Sequence, residues 1–144
     1  LKSVYLAEGA LAARNRLLME KYAAMQAEAC AECWNTDDAE LVVVAFGSMA
    51  RIARSAIRKL REEGLKAGLF RPKTLYPFPA DALRALAPGR RFLVIEQNTG
   101  QMVEDVRLSL MGENARVDWH GVMPGLFIGA DALEDPIRQA CKEN

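Results

Sequence analysis

Glu96 closes the apolar run "RFLVIE" and leads into "EQNTGQMVEDV", which carries Asn98, Gly100 and Gln101. A carboxylate at the end of a buried strand can act as a general acid or base. It can equally be tied to nearby backbone N–H groups as a brace, because buried polar groups are nearly always satisfied locally. A second candidate is Gly47-Ser48, between the apolar run "LVVVAF" and a helical pattern. Free backbone N–H groups there could hold an anion. The alternative is a glycine that makes a tight turn and a serine that caps the helix. The third is Arg71-Pro72 with the downstream "TLYPFP", which presents Tyr76 and Phe78. An arginine there can pair with a carboxylate or phosphate, or lay its stem over the loops of its own domain.

Several chemistries fail on residue types or spacing. His120 is the only histidine, so a histidine-ligated metal cluster is excluded. "CAEC", Cys30 to Cys33, has the spacing of a redox pair, but it falls at the end of a polar helical pattern and not after a strand. Cys141 is the one other thiol, too few for an all-cysteine [4Fe–4S] site. Neither GxGxxG nor GxxxxGK[ST] occurs, and no Ser/His/Asp or Cys/His set can be assembled.

These candidates need elements to hold them. The spacing of Leu6, Ala10, Ala13 and Leu17, with Leu18, Tyr22, Met25 and Ala29, predicts one helix from residue 5 to about 33. Its stripe is rich in alanine and suits packing on a body outside the domain. "LVVVAF", Leu41 to Phe46, reads as a strand buried on both faces. Met49, Ile52, Ala53, Ala56, Ile57 and Leu60 then follow the 3.6-residue period of a helix, with Gly64 as its C-cap. "LKAGLF" is the next strand, stopped by Pro72. Thr74 to Pro79 is a stiff extended arm, since each proline fixes its own φ and restricts the residue before it.

A short helix over Asp81 to Leu86, a strand over Arg91 to Glu96 and a helix over Gln101 to Leu110 come next. A weaker edge strand spans Ala115 to Gly121. The closing helix runs from Glu134 to Lys142, with Asp135 as N-cap and Pro136 at its first helical position. Strand and helix alternate, so the expected fold is α/β with a mostly parallel sheet. In such sheets ligands gather beyond the carboxyl ends of the strands, where all three candidates lie.

A chain of 144 residues, 51% hydrophobic and 26% charged, can bury a real core. Lys plus Arg number 19 and Asp plus Glu number 19, a balance that argues against a nucleic-acid groove or a polybasic membrane patch. No apolar run reaches the roughly 20 residues of a membrane helix, and the start lacks a signal-peptide core. Three cysteines and no secretory signal point to the reducing cytoplasm. The first residue is Leu1, so the chain reads as part of a longer polypeptide.

Three segments, "DDAELVVVAFGSMARIARSAI", "GLFRPKTLYPFP" and "LVIEQNTGQMVEDVRL", together resemble one family. It is the alpha subunit of the 2-oxoacid:ferredoxin oxidoreductases, in the region after its pyrimidine-binding domain. The resemblance extends to "RNRLLMEKY" in the leading helix, with the branched-chain 2-oxoisovalerate enzymes nearest and the 2-oxoglutarate and pyruvate enzymes behind. Two departures stand out. Tyr76 replaces the family's usual tryptophan, and Gly121-Val122-Met123-Pro124-Gly125 replaces a Gly-Arg-x-Gly-Gly turn.

The resemblance implies a transketolase C-terminal-like domain over residues 37–144, preceded by a leading helix and linker over 1–36. It implies a three-layer α/β/α sandwich with one antiparallel strand. The intact family enzyme uses thiamine diphosphate, Mg and [4Fe–4S] clusters to convert a 2-oxoacid to an acyl-CoA while reducing ferredoxin. Those cofactors would lie outside this segment, among the upstream pyrimidine-binding domain and the beta and gamma or delta-type subunits, leaving the segment inactive alone. Gly47, Ser48, Arg71, Tyr76, Phe78, Glu96, Asn98 and Gln101 would then face the rest of the enzyme or its CoA and substrate channel. The competing readings are a free-standing module that binds a small ligand or nucleotide, and the equivalent domain of a transketolase or 2-oxoacid dehydrogenase beta subunit.

Overall fold

The computed structural model describes residues 4–142. Helix α1 spans Ala10–Met25 and is followed by one 3-10 turn, Gln26–Glu28. The chain then forms β1 (Ala31–Trp34), β2 (Leu41–Val44), α2 (Gly47–Glu62), β3 (Ala67–Pro72) and α3 (Ala80–Arg84). It ends with β4 (Arg91–Glu96), α4 (Met102–Ser109), β5 (Val117–Gly121) and α5 (Asp131–Lys142). The strands make one sheet in the order β1-β3-β2-β4-β5. All neighbours are parallel except β1 and β3, which run antiparallel. The expected sandwich with one antiparallel strand is therefore present.

Alternation along the strands sends side chains to two cores. Leu41, Val43, Leu69, Leu93 and Ile95 meet α2 and α5 on one face. Val42, Val44, Phe70, Phe92 and Val94 meet α3 and α4 on the other. Every residue of β2 is buried, which explains why its run shows no polar alternation. Full burial of each such side chain contributes roughly 1.5–3 kcal/mol, so the centre of the sheet is the best-anchored part of the domain.

The ends of the first and last helices differ from expectation. The leading helix starts at Ala10 rather than residue 5 and does not continue to residue 33. It ends at Met25, and Ala31 to Trp34 pair with Leu69 to Pro72 as the antiparallel edge. Local periodicity loses there to the backbone hydrogen bonding offered by the free edge of β3. The last helix starts at Asp131, so Asp135 is not its N-cap and Pro136 lies inside it. Leu133, Ile137 and Ala140, at i, i+4 and i+7, are all buried, and this packing favours the extra turn ahead of the proline. Lys59 to Glu134 (2.7 Å) and Arg138 to Glu63 (2.9 Å) tie α5 to α2 from the solvent side.

Candidate functional site

The register fixes which loops meet. Val44 lies beside Phe70 and Val94, and Val94 lies beside Trp119. Gly47, Arg71 and Glu96 therefore all sit within three residues beyond one line across the sheet. Because β1 is antiparallel, its first residue pairs with Pro72 at the same end. The 3-10 turn and the C-terminus of α1 thus join the carboxyl-end face as well.

Glu96 is fully buried. Its Oε2 accepts the backbone N–H of Met102 at 2.8 Å, and its Oε1 accepts those of Val103 (3.2 Å) and the Trp119 indole (3.0 Å). The carboxylate fills the N-terminus of α4, where unpaired N–H groups and the helix dipole favour a negative charge. Of the two readings of Glu96, this geometry is the brace. Asn98 Oδ1 accepts the N–H groups of Gly100 (2.8 Å) and Gln101 (3.3 Å), closing the turn that carries the chain into α4. Gln101 itself is exposed.

The Trp119 ring lies against Gly121 and Gly100, and a Cβ at Gly121 would collide with it. No sequence signal singled out Trp119 as Glu96's partner. Its period-two placement on an edge strand was the only available hint.

Gly47 has φ +57°, a left-handed conformation that suits glycine. Phe46 occupies the N-cap of α2 and no side chain caps it, so Ser48 is an exposed helical residue and not the cap. Arg71 projects toward the antiparallel edge, where its Nη1 reaches Glu32 at 3.2 Å. The same carboxylate lies 3.6 Å from Arg54, whose guanidinium stands 4.9 Å over the Trp34 ring. Arg71 is thus engaged with a carboxylate of its own chain. On the arm, Phe78 turns inward and packs on the core beside α3 and α4. Tyr76 is 63% exposed and meets Tyr22 of α1 edge-on, with centroids 6.1 Å apart.

Of the "CAEC" cysteines, Cys30 immediately precedes β1 and Cys33 lies within it, correcting the helix-end placement expected from sequence. Three residues of extended chain separate their Cα atoms by roughly 10 Å, too far for a disulfide. Desolvation raises the Cys33 thiol, outweighing a hydrogen bond to Thr36, and burial likewise raises Cys141. Neither is an activated thiolate. Among the described residues no cluster of three His, Cys, Asp or Glu side chains could hold a metal. No helix among them is long and apolar enough to cross a membrane.

Many uncovered apolar side chains lie on α1, on the arm and after β5, with Leu108 and Met111 at the end of α4 besides. Leu11, Leu17, Met19 and Tyr22 of α1, Leu75 and Tyr76 of the arm, and Met123, Leu126 and Phe127 after β5 are all exposed. Helix α1 buries no residue at all. Gln97 donates to the carbonyl of Leu126 at 2.7 Å and so ties the post-β5 loop to the end of β4.

Sheet order, the single antiparallel edge and the two helical layers define a transketolase C-terminal-type α/β domain. A split-gene transketolase superposes on 73% of this chain, and this chain on 39% of it, with a TM-score of 0.62 at 20% identity. The 2-oxoglutarate:ferredoxin oxidoreductase of Magnetococcus marinus superposes on 97% of the chain with a TM-score of 0.78 at 19% identity, the match covering 25% of that longer chain. Residues 39–127 match the family described as pyruvate:ferredoxin oxidoreductase core domain II. The chain belongs to this family, among the subunits of the 2-oxoacid:ferredoxin oxidoreductases. It is 46% identical over 109 residues to ketoisovalerate oxidoreductase subunit VorB of Methanothermobacter thermautotrophicus (strain Delta H), a match covering 74% of this chain and 31% of that protein. The chain thus spans less than a third of that curated relative's length.

Two outcomes follow from the geometry. Glu96→Gln leaves one acceptor oxygen to face three donors and turns an NH₂ toward a helix N-terminus, so urea unfolding should show a loss of about 2–4 kcal/mol. An undiminished midpoint would contradict the brace. His120 faces α5 from β5, and burial holds its pKa below the ordinary 6.5. The unfolded chain then binds the imidazole proton more readily, so this residue's contribution to stability is present above pH 6.5 and is lost as pH falls through the folded value. Stability of His120→Gln should therefore decline less than that of the parent between about pH 7 and 5; equal declines would refute it.

Proposed function

We propose that the chain is a non-catalytic domain of the alpha subunit of a thiamine diphosphate-dependent 2-oxoacid:ferredoxin oxidoreductase. The enzyme would oxidatively decarboxylate 2-oxoisovalerate to an acyl-CoA in the cytoplasm and pass electrons to ferredoxin. The 46% identity to a ketoisovalerate oxidoreductase subunit supports this substrate. The domain's own work is packing. The observation that carries this reading is a 16-residue helix, α1, that buries nothing on its own domain beside an arm and a loop with exposed apolar rings. A solitary helix of that length is marginal in water and needs a body to cover it.

On this reading the upstream pyrimidine-binding domain and the beta and gamma or delta-type subunits supply that body, and with it the thiamine diphosphate, Mg, [4Fe–4S] and CoA sites. Gly47, Ser48, Arg71, Tyr76, Phe78, Asn98 and Gln101 line or support the joint. Glu96 supports it from beneath, since it presents no surface of its own.

The complex containing the peptide "TLYPFPADALR", purified from its native source, should reduce viologen in a CoA-dependent reaction. Its kcat/KM should be highest with 2-oxoisovalerate, ahead of 2-oxoglutarate and pyruvate. An intact complex inactive with all three would remove the reading. Tyr76→Ala should weaken assembly by about tenfold or more, as loss of an aromatic anchor does, while leaving the urea midpoint of the isolated chain unchanged. Phe78→Ala cannot serve as this control, because its ring belongs partly to the core.

A further inference from the structure

The four arginines of α2 at 51, 54, 58 and 61 are spaced three, four and three apart, which aligns them along one side of the helix. Glu62 is the sole acid of α2 against five bases. Over ten residues the stripe is about 15 Å long. It lies away from the buried positions Met49, Ala53, Ala56, Ile57 and Leu60. Like charges one turn apart cost a helix a few tenths of a kcal/mol per pair, so a row of four needs carboxylates around it to offset the repulsion.

Two members are already occupied. Arg61 holds Asp38 through both carboxylate oxygens at 2.8 and 2.6 Å, and Arg54 lies 3.6 Å from Glu32, which it shares with Arg71. Arg51 and Arg58 are exposed and have no partner among the described residues. The row thus alternates free and carboxylate-bound guanidinium groups.

From this alternation we infer that the α2 stripe is a docking surface for an acidic segment of another subunit, bearing carboxylates about 10 Å apart to match Arg51 and Arg58. The occupant is a protein carboxylate because the same row already holds two of them, Asp38 hydrogen-bonded to Arg61 through both its oxygens and Glu32 paired with Arg54 at 3.6 Å. Net charge zero over the whole chain gives no general attraction for nucleic acid or anionic lipid. The stripe meets the antiparallel edge through Arg54 and Glu32, and the inference rests on the chain being part of a multisubunit assembly.

The test uses the full-length subunit and its native partner subunits, mixed and followed by sedimentation at about 0.05 to 0.5 M salt. The parent should associate, and more weakly as salt rises. R51E/R58E should raise the dissociation constant about tenfold or more, with R51K/R58K between the two and unchanged melting of the free subunit. If the parent assembles but R51E/R58E matches it in affinity and salt dependence, the docking inference fails while the assembly reading stands. If the parent assembles with nothing, both fail. Loss of binding to phosphatidylserine vesicles or a 20-base-pair duplex, with assembly unchanged, would also overturn the acidic-subunit assignment.

Discussion

A single buried carboxylate organises the carboxyl end of the sheet. Among the described residues no cation pairs with Glu96; its charge is met by two backbone N–H groups at the start of α4 and by the Trp119 indole. A buried carboxylate would be costly without such donors, and with them it becomes a three-way joint. It locks β4 to α4 by local bonds and to β5 by a long-range one. Asn98 then shapes the turn, and Trp119 rests in the space that Gly121 and Gly100 leave. Removing the charge would loosen several loops together, because each takes its position from the same atom pair.

The rest of the face divides by chemistry. Toward the antiparallel edge, Arg71, Arg54 and Glu32 form a polar set beside Trp34. Uncovered apolar groups also stand on the arm (Tyr76), on the post-β5 loop (Phe127) and on α1, where Leu11, Leu17, Met19 and Tyr22 are interspersed with exposed charged residues. The two prolines around Phe78 explain why the arm can be both anchored and presented. Phe78 fixes the stiff segment to the core, and the rigid backbone then holds Tyr76 outward against Tyr22.

Much of this was legible in the sequence where the physics is local and strong. The uninterrupted β-branched run of β2 shows burial on both faces, and the 3.6-residue period of α2 survives a row of arginines. Glu96 could be placed at a strand end, with bracing as one of its two roles, but its third donor, Trp119, is 23 residues away and invisible to any local pattern. β1 was hidden for the same reason. Ala31 to Trp34 has no strand signal of its own and takes that form only because β3 offers an edge. The start of α5 was misplaced because proline is a strong local signal, and the burial of Leu133 against α2 outweighs it. Local rules failed wherever a tertiary partner decided the outcome.

This contrast also separates the two helices that the domain does not fully explain. Helix α2 has a complete buried face, so its folding needs nothing further and its outer side is free to carry charge. Helix α1 has no such face, and apart from the edge-on contact of Tyr22 with Tyr76 its exposed leucines and methionine stay uncovered by the body they are attached to. An element of the first kind tolerates a partner whose contacts form and break with ionic strength. One of the second kind requires a partner that stays, because apolar area left in water costs about 25 cal/mol per Å² whenever it is uncovered. On the proposed assembly reading, the fold would supply two surfaces of different permanence, an apolar one built on α1, the arm and the post-β5 loop and a salt-sensitive one along α2.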